Sequence, residues 1–230
     1  GRPIVNLLPL EKDERIQAVL PVKEFNDNQF IFMATETGSV KKTKLSAYSR
    51  PMKSGIKAIK LRDGDRVVNA EITDGTKEIM LFSNSGKSIR FKESDARPMG
   101  RVSQGVRGMR IDKDQKIISL VVLEEGNILV ATENGYGKQT LKDEFSIQKR
   151  GGKGVIAIQT SNRNGNLIGA KQVSTGDEVM FISTSGNLIR TRTDDISIIG
   201  RNTQGVRLIR LSEDDNLLGM EKVISEDDEE

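Results

Sequence analysis

Residues 32–45, FMATETGSVKKTKL, recur in altered form three times along the chain: LFSNSGKSIRFKES at 81–94, VATENGYGKQTLKD at 130–143 and FISTSGNLIRTRTD at 181–194. Their shared glycines, Gly38, Gly86, Gly135 and Gly186, lie 48, 49 and 51 residues apart. A second anchor follows each one: SGIKAIKL, QGVRGMRI, KGVIAIQT and QGVRLIRL, with Gly55, Gly105, Gly154 and Gly205 spaced by 50, 49 and 51 residues. Two anchors kept in phase four times identify an internal repeat, and a period of this length marks a repeat architecture.

Within each unit the signals are those of strands. Phe30 to Thr35, Ile79 to Ser83, Ile128 to Thr132 and Val179 to Ser183 are short apolar, β-branched runs. Each leads into a polar turn ending in glycine, which is a hairpin signal. A second strand follows, then a polar loop, the Gly-anchored strand and a fourth run such as Val67 to Ile72. Four short strands per unit with little helical periodicity describe a propeller-like blade. The units fall at about 28–76, 77–126, 127–176 and 177–225, and 1–27 parallels only the second half of one. The expectation is an all-β ring of about four and a half repeats whose first blade is incomplete, with a strand edge exposed at the break.

Composition narrows the chemistry. With no Cys and no His, the chain has no disulfides, no thiolate or imidazole metal ligands and no Ser-His-Asp or Cys-His catalytic arrangement. Absence of Cys fits the cytosol. No apolar run approaches the roughly 20 residues of a membrane-crossing helix, and no signal peptide is visible. The net charge of +3 conceals an asymmetry, since 226–230 are all acidic. Without that tail, 36 basic residues stand against 28 acidic ones. A basic body attracts polyanions, and an acidic tail is either a solvated end or a competitor for the same surface.

The cations fall at repeating offsets. Four residues after the hairpin glycine stand Lys42, Arg90, Gln139 and Arg190, with Lys41, Lys138 and Arg192 close by. Two after the second glycine stand Lys57, Arg107, Ile156 and Arg207, and five after it Lys60, Arg110, Gln159 and Arg210. Strand alternation puts those last two offsets on opposite faces unless a bulge intervenes. Four before the second glycine stand Arg101, Arg150 and Arg201, with Arg50 five before it in the first unit. One reading makes these charges guards against edge-to-edge strand pairing. The other makes them a ring of cations on equivalent positions around the body, matched to a polyanion that curves around it.

The third unit, poorest in strand cations, carries QKRGGKG at 148–154. Lys149, Arg150 and Lys153 there suit an anion, and Gly151, Gly152 and Gly154 would let the backbone approach it closely. A Walker A loop needs GxxxxGK[ST] before a helix, whereas here VIAIQ follows and reads as a strand. Base reading lacks a recognition helix. Single-strand binding would use stacking aromatics, and at 4% of residues with no Trp these are too few. Duplex backbone contact is what the residues favour. Tyr48, Tyr136 and acidic pairs such as Asp194-Asp195 have no companions that would make them catalytic.

The heptapeptide resembles the Q-[RK]-R-G-G-[RK]-G box of the gyrase A family of DNA topoisomerases, and IVNLLPLEKDERI (4–16), FKES (91–94), NGYGK (134–138) and TRTDDISIIGRNTQGV (191–206) are similar to its C-terminal domain. The resemblance covers essentially the whole chain. It implies a β-pinwheel, whose blades exchange strands with their neighbours, and a basic outer rim that wraps duplex DNA with positive handedness to support negative supercoiling. It also implies partners in the rest of the gyrase A polypeptide and in gyrase B, a cytoplasmic, nucleoid-associated setting, and a monomeric isolated domain. The catalytic tyrosine, ATP and magnesium sites would belong to other parts of that enzyme, leaving this chain without a cofactor. The family's box lies in its first blade, ahead of the segment matching Gly1, so Gln148 to Gly154 is a box-like motif in a later blade. The DNA-binding set expected is Lys41, Lys42, Arg50, Arg90, Arg101, Arg107, Lys138, Lys149, Arg150, Lys153, Arg190, Arg192, Arg201 and Arg207. Two rivals are the paralogous domain of topoisomerase IV, against which the box and NLLPL argue, and a protein-binding propeller, which would present apolar or aromatic anchors.

Overall fold

The structure, a computed structural model, describes residue 10 and residues 14–223. Its regular elements are strands joined by turns and single 3-10 turns: β1 (Phe30–Thr35), β2 (Ser39–Lys44), β3 (Val67–Thr73), β4 (Glu78–Ser83), β5 (Lys87–Lys92), β6 (Val106–Arg107), β7 (Ile117–Leu123), β8 (Asn127–Thr132), β9 (Tyr136–Thr140), β10 (Val155–Ile156), β11 (Leu167–Val173), β12 (Glu178–Ser183), β13 (Leu188–Arg192), β14 (Val206–Arg207) and β15 (Leu217–Val223). Four antiparallel sheets form in the orders β3-β1-β2-β6, β10-β5-β4-β7, β11-β8-β9-β14 and β13-β12-β15.

The orders show strand exchange. Each two-residue strand leaves its own repeat and closes the outer edge of the preceding blade: β6 on β2, with Val40 opposite Val106, β10 on β5, with Ser88 opposite Val155, and β14 on β9, with Gly137 opposite Val206. The resulting architecture is a β-pinwheel. Strands β3, β7, β11 and β15 pack on one another in succession and line the axis. A cavity of about 420 Å³ opens among them, bordered by Val68, Ile118, Ile168 and Met220.

The apolar runs of β1, β4 and β8 do not alternate because both of their faces are covered, whereas β12 is covered on one face and leaves Ile182 exposed on the other. Phe32 joins Leu81 and Phe91 in a core between the first two blades. Phe82, Val130 and Phe145 build the core between the next two, and Leu129, Phe181 and Leu217 that between the last two. The free face of the first blade, Ile31 and Met33, is covered by Leu20, Val22 and Ile59. Residues 14–27, read from sequence as half a blade, form no strand there; they serve as a cover, because no described strand lies beside them to pair with. Residues 1–9, with all of NLLPL but its last leucine, and the acidic 226–230 lie outside the described residues.

The repeat glycines mark where blades touch. Each hairpin glycine has positive φ, and in the first three blades its carbonyl accepts two N–H groups from the next repeat: Gly38 from Gly108 and Met109, Gly86 from Ala157 and Ile158, Gly135 from Leu208 and Ile209. A Cβ at Gly38 would stand 2.5 Å from the Met109 carbonyl oxygen, and one at Gly86 would clash with that of Ile158. Gly186 has the same backbone conformation, φ +82°, but nothing described lies within 4 Å of its Cβ position. Gly186→Ala should therefore cost about 1 kcal/mol of backbone strain, and Gly86→Ala about 2–4 kcal/mol, since a fixed backbone adds a clash. Urea midpoints measure both; equal losses would refute blade contact as the reason for the glycine.

Candidate nucleic-acid interface

Residues three and four beyond the hairpin glycine are consecutive strand positions and so project to opposite faces of the blade. Lys41, fully buried, donates to the carbonyl of Ala58. Lys138, at the same offset and also fully buried, donates to the carbonyls of Gly200 (2.6 Å) and Arg201 (2.5 Å) and to Thr203 Oγ1 (3.0 Å). At the next offset, Lys42 lies buried 3.3 Å from the Glu93 carbonyl and 3.7 Å from its carboxylate. Arg90 bonds Glu78 (2.6 Å) and the carbonyls of Lys142 (3.0 Å) and Phe145 (2.9 Å). Gln139 makes the same reach, to the carbonyls of Thr193 (2.7 Å) and Ile196 (3.1 Å).

These bonds correct the sequence reading. Lys42, Arg90 and Lys138 hold the 3-10 turn or loop of the next blade, while Lys41 ties down the Ala58 carbonyl within its own repeat. Buried carbonyls there need donors, and a phosphate outside cannot reach side chains already committed to them. Gln139 stands where a cation was expected because an amide supplies the same donors. Arg190, whose next blade is not among the described residues, turns to Glu178 and stays exposed.

Burial holds the Lys41 and Lys138 ammonium groups below their ordinary range, at about 8, with the positive charges of Arg101 and Arg201 acting in the same sense on each respectively and Glu144 opposing it at Lys138. A lysine whose folded-state pKa is depressed favours the fold fully only above its unfolded value near 10.5, and loses that contribution as pH falls through 8. Raising pH from 7.5 to 9.5 should therefore stabilise the parent chain more than Lys138→Met. Parallel urea midpoints for the two proteins test this; identical pH slopes would contradict it.

The loop arginines latch onto the exchanged strands. Arg101 Nη1 donates to the Lys57 carbonyl (3.0 Å), Arg150 Nη1 to that of Arg107, and Arg201 Nη1 to that of Ile156 (2.6 Å). Each acceptor lies two residues past the anchor glycine of the preceding repeat. Beside these bonds, the N–H groups of Lys60, Arg110 and Gln159 reach the carbonyls of Ser103, Gly152 and Thr203 at 3.1, 2.8 and 2.8 Å. The three arginines remain half-exposed, while Arg50, with no such acceptor, is exposed.

The box-like loop is built by the same joinery. Gln148 N–H donates to the Arg90 carbonyl and Gly151 N–H to that of Gly108, both at 2.7 Å. A Cβ on Gly154, φ +71°, would clash with the Ser88 carbonyl. Of the glycines expected to admit a phosphate, Gly154 thus admits the neighbouring blade, while Cβ positions at Gly151 and Gly152 meet only ordinary contacts at 3.5 and 3.6 Å. Lys149 and Lys153 are exposed and, among the described residues, their ammonium groups have no hydrogen-bond or ion-pair partner.

The outermost strands have only two residues each, so offsets two and five escape the expected alternation: Arg107, Arg110, Arg207 and Arg210 are all exposed. Arg192 is exposed and lies 3.7 Å from Asp194. Arg107, Lys149, Lys153, Arg192 and Arg207 are therefore exposed on the outer strands and loops, with Arg101, Arg150 and Arg201 anchored beside them. Arg163, overlooked in sequence because it lies outside the repeating offsets, sits with Arg207 over Tyr136. Among the described residues no group of three or more acidic side chains suits a metal ion, and no helix is long and apolar enough to cross a membrane.

Comparison with known proteins places this geometry among DNA topoisomerases. The family model described as "DNA gyrase C-terminal domain, beta-propeller" matches residues 29–74, 77–124, 126–174 and 177–224. Over 231 aligned residues covering the whole chain, it is 52% identical to the DNA gyrase A protein of Escherichia coli K12 and 50% identical to that of Salmonella typhimurium. It spans 26% of the length of each. A solved DNA gyrase A C-terminal domain superposes with a TM-score of 0.86 at 27% identity, over 97% of this chain and 75% of that one. A DNA topoisomerase IV C-terminal domain gives 0.92 at 27% identity, over 99% and 72%.

Proposed function

The chain belongs to the DNA gyrase C-terminal domain family, and from that membership we propose that it is a non-catalytic module that binds duplex DNA without sequence preference and wraps it along the convex rim. The observation that carries the reading is the outer edge itself, where exposed Arg107 and Arg207 and the unpaired Lys149 and Lys153 face solvent. Such a surface supplies phosphate contacts, and among the described residues there is no α-helix to enter a groove, which favours backbone binding over base reading. Bending 20–30 bp by 40–90° costs on the order of 1–6 kcal/mol, which several phosphate contacts along a curved path offset.

In the complete enzyme, wrapping would hand a DNA crossing of fixed sign to the strand-passage machinery formed by the rest of the gyrase A polypeptide and by gyrase B, in the cytoplasm and on the nucleoid. ATP hydrolysis and magnesium chemistry would occur in those parts, so the reading needs no cofactor in this chain. A topoisomerase IV role is the second reading, favoured by the TM-score of 0.92; the 50–52% identity to gyrase A proteins supports the first.

Two measurements test the proposal. Lys149→Ala with Lys153→Ala should leave stability unchanged and reduce the slope of log affinity against log salt by about 2, one phosphate per lysine; an unchanged slope would remove both residues from the interface. Binding the chain to nicked plasmid, sealing the nick and removing the protein should leave positive supercoils. Relaxed product despite saturating binding would mean attachment without wrapping.

A further inference from the structure

The third blade carries a feature the other three lack. The residue after the hairpin glycine is Ser39, Lys87 and Asn187 elsewhere, and Tyr136 here. Two guanidinium groups converge on its ring. Arg163 Cζ lies 5.0 Å and Arg207 Cζ 5.3 Å from the ring centroid, and Arg207 Nη2 donates to the phenol oxygen at 2.8 Å.

Two like charges held over one ring repel one another, and a nearby carboxylate would normally offset that. Neither arginine is ion-paired among the described residues. Asp214 borders the same cleft as Arg207 but makes no ion pair with either guanidinium, and two other acids of the surrounding loops are committed elsewhere. Glu133 accepts from Asn166 N–H (2.8 Å) and its side-chain amide (3.2 Å). Asp215 accepts from Thr184 and Ser185 at 2.7–3.0 Å. The ring quadrupole attracts each cation but cannot neutralise the pair.

The cluster is also held in place before any ligand arrives. Arg207 belongs to β14, paired with Tyr136 itself in the outermost ladder of the blade. Arg163 sits in a loop organised by the fully buried Asn164, which accepts from Ser161 N–H (2.8 Å) and donates to the carbonyls of Gln159 (2.8 Å) and Gln204 (3.1 Å). Asn134 grips the Arg163 carbonyl at 3.1 Å. The two guanidiniums therefore come from different repeats, and their spacing is fixed by the strand exchange.

We infer that Arg163, Arg207 and the Tyr136 hydroxyl form a phosphate site on the rim of the third blade, taking one backbone phosphodiester of duplex DNA between the two guanidiniums. Guanidinium forks match phosphate oxygens in pairs. The phenol accepts from Arg207, so its own hydrogen remains to be donated to the anion. This inference rests on the DNA-binding reading above and deepens it by naming a contact point. The bonds from Arg163 and Arg207 hold the phenol below its ordinary titration range, and an arriving phosphate would cancel the charges responsible, which supplies a local readout.

The chain has two tyrosines, so Tyr48→Phe leaves Tyr136 alone. With 13Cζ-labelled tyrosine, its NMR titration should move to higher pH when a short duplex is added at low salt. Inorganic phosphate at equal phosphate concentration should move it far less. Arg163→Ala with Arg207→Ala should weaken duplex binding several-fold and reduce the log–log salt slope by about 1. If the duplex binds and the Tyr136 titration stays in place, the inference fails while the DNA-binding reading stands. A response to inorganic phosphate alone makes this a free-anion site and overturns the inference. No duplex binding at low salt sinks both. Should the double variant fail to fold, the phenol titration of the Tyr48→Phe protein still decides.

Discussion

Everything in this fold depends on one short contact, in which the hairpin glycine of a blade accepts, through its carbonyl, two N–H groups of the strand arriving from the next repeat. A blade of three strands has an unpaired outer edge, and unpaired edges are sticky. By lending two residues backward, each repeat closes its predecessor's edge and brings its own apolar face against it. The cores consequently lie between blades, with Phe32 and Phe91 from successive repeats meeting at 6.4 Å. The last described blade shows what the contact does by lacking it: its sheet has three strands, and Ile182, Leu188 and Leu218 are 41%, 63% and 60% exposed.

The same joint decides the fate of the charges. A lysine or arginine near the hairpin glycine finds buried backbone carbonyls within reach, of the next repeat for Lys42, Arg90 and Lys138 and of its own for Lys41, and there it becomes a fastener. Arg107 and Arg207 on the two-residue outer strands, and Lys149 and Lys153 in the loop before β10, find no such carbonyl and are exposed. Periodicity therefore identifies two populations. The inner one is periodic because blade joints are periodic. The outer one follows the rim and varies from blade to blade, as expected of a surface shaped by what it touches.

The axis follows a similar rule. Lys171 on β11 pairs with Glu221 on β15 at 2.7 Å, while Glu71 on β3 is held above the ordinary carboxylate range, chiefly by burial. Glu71 is satisfied by the Asn69 amide and Lys171 by Glu221, so the exposed cations without a carboxylate partner lie on the outer strands and loops.

Much of this was legible in the residues alone. The doubled glycine period set blade number and spacing, the apolar runs located the hairpin strands, and the box-like heptapeptide with its flanking motifs pointed to the family. Those are local signals, because strand propensity and turn chemistry act over a few residues. What the sequence could not decide was the owner of each interaction. Lys41 and Arg107 look alike in a list of offsets, yet one ends beneath the Ala58 carbonyl and the other in solvent. Gly154 looked like a ligand-contact glycine and proved to be a seat for Ser88. Arg207, 71 residues from Tyr136 in sequence, joins Arg163 at that ring only because β14 is lent to the third blade. Which strand closes which edge is a contact between repeats, and only the assembled ring determines which cations are buried at its joints and which remain free on its rim.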